Sequence, residues 1–103
     1  MSEGAIIKLD KTTIALLTRA LTTEYRRLQL ELRITEERIR KFEEKYGMTS
    51  EEFKKKYMHG ELGDDEDFMK WYGELVFLEN IRRELKELKK IADKISGSIP
   101  SQG

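Results

Sequence analysis

Apolar and polar positions alternate with a helical period along almost the whole chain. From Asp10 onward, Ile14, Leu17, Leu21, Tyr25, Leu28, Leu32, Ile39, Phe42 and Tyr46 recur at steps of three and four, with Thr35 in the one polar gap. That spacing stacks side chains on one face of an α-helix, and Asp10 is a suitable N-cap. The pattern predicts one helix running to Tyr46, roughly 50 Å long at about 1.5 Å per residue. A helix of that length needs a second one along it. The stripe Phe68, Trp71, Leu75, Leu78, Ile81, Leu85, Leu88, Ala92 and Ile95 supplies it, as a helix from about Asp65 to Ser96 folded back antiparallel, with Gly97 and Pro100 marking its stop.

Between the two lie punctuation signals. Gly47 provides the left-handed residue that ends a helix. Thr49 with Glu52 three residues on forms a capping box, which predicts a short helix over Ser50 to Met58. Its Lys54, Lys55 and Lys56 read as a solvated face. The stretch HGELGDDEDF, residues 59 to 68, holds the single histidine, two glycines and a crowd of acids, so metal, acid-base and hinge readings all arise. Gly60 as the stop, Gly63 as the turn and Asp64 as the cap of the last helix account for most of it, since acids at a helix start complement the helix dipole. The ligand order of an EF-hand loop is absent, and His59 has no second histidine, so a histidine-rich metal site would have to be shared with a partner.

The fold class that follows is all-α: a long antiparallel helical hairpin with a short helix at its bend, pairing into a four-helix bundle or coiled-coil dimer. Residues 1–9 form an N-terminal strap or short strand, centred on Ala5 to Leu9, residues 10–96 the hairpin domain, and residues 97–103 a disordered tail.

Composition narrows the function. With 103 residues the chain is one domain, too small for a large buried cleft. Twenty basic residues balance twenty acidic ones, so no overall charge favours nucleic acid or an anionic membrane. No cysteine is present, which removes disulfides, thiolate metal sites and thiol nucleophiles. There is no phosphate loop and no separated carboxylate pair on an apolar cleft, so the reading is non-enzymatic, without cofactor or metal. Neither an export signal nor an apolar run long enough to span a bilayer is seen, so a cytoplasmic protein is expected. The wealth of Lys, Glu and Arg, 39% charged residues in all, matches heat-adapted proteins.

The strongest signal is FMKWYGELVFL, residues 68 to 78, which is apolar nearly all round. Phe68, Met69, Trp71, Tyr72, Leu75, Val76, Phe77 and Leu78 exceed the stripe that one neighbour covers. Burying its four aromatics is worth on the order of 15 to 25 kcal/mol gross, so something besides the first helix must cover them: the short helix, a second copy, or another protein. Gly73 would let a second backbone approach closely. The first helix shows a similar excess, with Leu16 beside Leu17 and Leu21, and Leu30 with Ile34 extending a second stripe. Phe68, Trp71, Tyr72, Val76, Phe77, Leu16, Leu30 and Ile34 are therefore the candidate partner-binding or dimer residues, and Gly47, Thr49, Glu52, Gly60, Gly63 and Asp64 the hinge and cap residues.

Residues 46 to 75 resemble a family of small, uncharacterised archaeal and bacterial helical proteins that share a Tyr-Gly-Met stop, a Ser or Thr with Glu and Phe just after it, a Gly-x-Leu-Gly-Asp turn and a Phe followed by Trp three residues on. The matching positions are Tyr46, Gly47, Met48, Phe53, Gly60, Leu62, Gly63, Asp64, Phe68 and Trp71. The resemblance implies an antitoxin-like protein that binds and masks a small toxin, commonly a ribonuclease, and implies no catalytic residues. Two other classes stay open. One is a coiled-coil scaffold acting only as a homo-oligomer. The other is a nucleic-acid binder using Arg26, Arg27, Arg38, Arg40 and Lys41 on one edge and Lys86, Lys89, Lys90 and Lys94 on another, a reading weakened by the interspersed acids.

Overall fold

The structure, a computed structural model, describes residues 9–98. It consists of three helices, α1 (Lys11–Tyr46), α2 (Ser50–Met58) and α3 (Glu66–Ser98), and no strand is present among the described residues. The expected strap lies outside the described residues apart from Leu9, as do residues 99–103 of the expected tail. Helix α3 runs through Gly97 to Ser98, so Gly97 is not the stop; a single glycine costs a helix only about 1 kcal/mol relative to alanine and does not end it.

The helix ends follow local chemistry. The Asp10 carboxylate accepts the Thr13 N–H at 2.8 Å, capping α1. Gly47 closes α1 at φ 62°, where a side chain would be strained, and its N–H donates to the Glu43 carbonyl. Thr49 Oγ1 accepts the Glu52 N–H at 3.1 Å, but the Glu52 carboxylate turns to Lys56 instead of reaching back. Glu43 on α1 fills that role for its neighbour, accepting the Ser50 N–H at 2.9 Å. At the other end of α2 the Gly60 N–H bonds to the Tyr57 carbonyl and the Glu61 N–H to the Lys56 carbonyl, a Schellman motif with Gly60 left-handed at φ 72°. The cap of α3 falls on Asp65, one residue after the expected Asp64: Asp65 Oδ1 accepts the Asp67 N–H at 2.8 Å.

Helices α1 and α3 lie antiparallel, with Lys45 beside Asp67, Arg38 beside Glu74 and Glu36 beside Arg82. The hairpin is long and thin, 59 × 31 × 22 Å, with a radius of gyration of 20.0 Å, where a compact chain of this length has about 13 Å. Among the described residues, no helix is long and apolar enough to cross a membrane.

Candidate functional site

The core runs from the bend to the middle of the hairpin, where Leu28 and Ile81 close it. Leu28, Thr35, Ile39, Phe53, Trp71, Leu78 and Ile81 are the buried residues among those described. Helix α2 adds a third wall at the bend end of this core, around Phe53 and Trp71.

Seven aromatic rings meet at that wall. Trp71 and Phe53, both 0% exposed, stack with ring centroids 3.9 Å apart. Phe42 and Tyr46 lie against Trp71 at 5.7 and 6.0 Å, Phe68 sits between Tyr46 and Phe53, and Tyr57 contacts both Phe53 and Tyr72. Polar ends are satisfied as the rings are buried. The Trp71 indole N–H donates to Ser50 Oγ at 3.1 Å, and Ser50 Oγ–H donates in turn to Glu43 at 2.7 Å. The Tyr46 hydroxyl and the Lys45 ammonium both donate to Asp67 Oδ2 at 2.6 Å. Lys45 first, and Tyr46 second, hold the Asp67 carboxyl below the usual range, and the same contact with Asp67 raises the Tyr46 hydroxyl.

Much of the surplus apolar area over residues 68 to 78 is thus consumed inside the chain. Trp71 is sealed in, Phe68 and Tyr72 are half-buried in the ring cluster, and none of the three offers an outward anchor. Gly73 faces open space: an added Cβ would have no atom within 4 Å, so no backbone of this chain approaches it. Val76 and Phe77, at 43% and 40% exposed, remain uncovered, as do Leu16, Leu30 and Ile34 at 53%, 49% and 42%.

All of these but Val76, which lies four residues on from Tyr72 and so near the α2 side, belong to one face. On α1, Leu16, Ala20, Thr23, Arg27, Leu30 and Ile34 follow alternating steps of four and three, a heptad stripe distinct from the one facing α3. On α3, Phe77, Glu84 and Ile91 recur at steps of seven, with Ile95 four residues on, while Ile81 and Leu88 between them turn toward the hairpin seam. Phe77 is five residues on from Tyr72, hence about 140° round the helix from the side that α2 covers. Arg27 and Glu84 occupy the middle of the two stripes. Hydrogen bonding to Glu24, with the added fields of Glu31 and Glu84, raises the pKa of the Arg27 guanidinium.

On the side that carries α2, but beyond its end, a groove of about 1020 Å³ separates the N-terminal half of α1 from the C-terminal half of α3. Leu21, Tyr25, Leu85, Leu88 and Ala92 provide its apolar lining, and Arg82, Arg83, Lys86 and Lys89 rim it on α3 against the single acid Glu79. Sequence periodicity assigns Leu85, Leu88 and Ala92 to the hairpin core; here the partner helix alone leaves them partly open. No local signal distinguishes them from Leu78 or Ile81, which the same helix buries in the seam.

The remaining expected features lie at the surface. The His59 side chain is exposed, with Nδ1 3.7 Å from Glu61. No cluster of three or more His, Asp and Glu side chains among the described residues is placed to hold a metal. Of the basic residues on the two edges, Arg27 is engaged by Glu24 and Glu31, Arg40 by Glu37 and Glu44, Arg38 by Glu74 and Lys90 by Glu87. Compared with protein-family models, curated proteins and solved structures, the chain matches none at a significant level.

Proposed function

We propose that this protein is a non-enzymatic, protein-binding module of the antitoxin-like kind, which masks a small partner by taking one of the partner's helices into the groove at the open end of the hairpin. The observation that carries this reading is the unfinished core: α1 and α3 keep their apolar stripes up to Leu21 and Ala92, yet beyond the end of α2 no other described residue covers them. A helix laid between them would complete the layer that α2 completes at the bend. The cationic rim of Arg82, Arg83, Lys86 and Lys89 favours a partner segment with acidic flanks.

The test is co-expression with the product of the adjacent gene. A stable complex whose formation suppresses that product's toxicity is expected, and Leu85→Glu combined with Lys86→Glu is expected to abolish it while circular dichroism stays unchanged. A product that neither binds nor is neutralised would sink the reading. Trp71 is the wrong residue to probe here, because its loss acts on the fold.

A further inference from the structure

The zero net charge conceals a segregation that the hairpin creates. Residues 11–31 and 79–98, which the antiparallel pairing brings to the open half, carry ten basic and six acidic side chains, a net +4. Residues 32–78, the bend half, carry nine basic and twelve acidic ones, a net −3. The long axis of the molecule is therefore a charge dipole, positive at the open end and negative at the bend.

The face opposite α2 runs the full length of this dipole and is free of α2 throughout. It exposes Leu16, Leu30, Ile34, Phe77 and Ile91, each at 40% or more. Two helices abreast, roughly 50 Å long and about 20 Å wide together, present on the order of 1000 Å² in projection. That exceeds the roughly 800 Å² each partner gives to a standard interface. The occupant that matches this face in length and heptad step is the same face of a second copy.

We infer that two copies pair through this face as an antiparallel four-helix bundle, with the open half of each hairpin laid on the bend half of its partner. Orientation follows from the charges. A parallel two-fold dimer sets +4 against +4 and −3 against −3; the antiparallel one sets +4 against −3 twice. Arg27 and Glu84 then fall near the two-fold axis, where a polar layer within an apolar stripe fixes register. The pairing leaves the groove beside α2 open, so it goes beyond the masking function and is independent of it.

The chain lacks cysteine, so single nitroxide labels placed by Thr12→Cys at the open end and Glu44→Cys at the bend report the geometry. Light scattering at about 100 μM is expected to give twice the protomer mass. Electron–electron dipolar spectroscopy should then show a short distance in an equimolar mixture of the two labelled proteins and distances of roughly 45 Å or more for either alone, since the two sites are 32 residues apart on α1. The double variant Leu30→Glu/Ile34→Glu, at exposed positions, should become monomeric with helicity unchanged. A monomer at that concentration, a short distance between like labels, or a dimer untouched by the double variant would each overturn the inference. Failure of partner masking with the dimer intact, or the reverse, separates this inference from the proposed function.

Discussion

The indole of Trp71 lies face to face on the ring of Phe53, eighteen residues earlier in the sequence, with centroids 3.9 Å apart and planes 5° from parallel, and so joins α3 to α2. This stack attaches α2 to the hairpin. Trp71→Ala should destabilise the protein by about 3 to 5 kcal/mol, and Trp71→Phe by less, both read from urea unfolding. The chain has one tryptophan, so its emission should be blue-shifted when folded and move to the red in a single step on unfolding.

Thr35 is 1% exposed and its hydroxyl has no hydrogen-bond partner. Thr35→Val keeps the shape and removes an unmet polar group, so it should raise stability by about 1 kcal/mol. An unchanged or lower denaturation midpoint would show that the hydroxyl is satisfied after all.

Two glycines with open surroundings should respond in opposite directions. Gly47 has φ 62°, where alanine is strained by about 1 to 2 kcal/mol, so Gly47→Ala should lower the melting temperature. Gly73 is helical and unobstructed, so Gly73→Ala should stabilise by about 0.5 to 1 kcal/mol. Comparison of the two variants by calorimetry controls for composition.

The latch at the bend is acid-sensitive. Asp67 is held low by Lys45 and then Tyr46, and Asp10, Glu24 and Glu37 are also lowered, by Thr13, Arg27 and Arg40 respectively. A depressed carboxyl contributes stability that is present above its unfolded pKa, near 4 for these groups, and lost as pH falls through the folded value. Stability should therefore be flat around neutrality and decline below about pH 4. Asp67→Asn should be less stable at pH 7, and the gap to wild type should narrow on acidification.

Helix placement was legible in the sequence because its causes are local. The boundaries of α1 and α2 follow from Asp10, Gly47 and Thr49, each acting within four residues. The start of α3 slipped by one residue because Asp64 and Asp65 are equally good caps, and the stop was misplaced because Gly97 weakens a helix without ending it. The candidate site was only half legible. Helical spacing singles out Leu30, Ile34 and Phe77 as surplus to the hairpin seam, but for Trp71, which it sets on the seam, it does not show that α2 closes over the ring. Which of them stays in water depends on where α2 folds.

The sequence by itself thus determined an all-helical chain, its breaks, and more apolar surface than two helices hide, because periodicity and capping are encoded over single turns. Tertiary structure alone decided how that surface is divided. The short helix seals Trp71 and Phe53 at the bend and leaves the open end uncovered, and antiparallel pairing gathers charges that are scattered along the chain into a positive and a negative half. Both outcomes are contacts between residues tens of positions apart, and no local interaction fixes those.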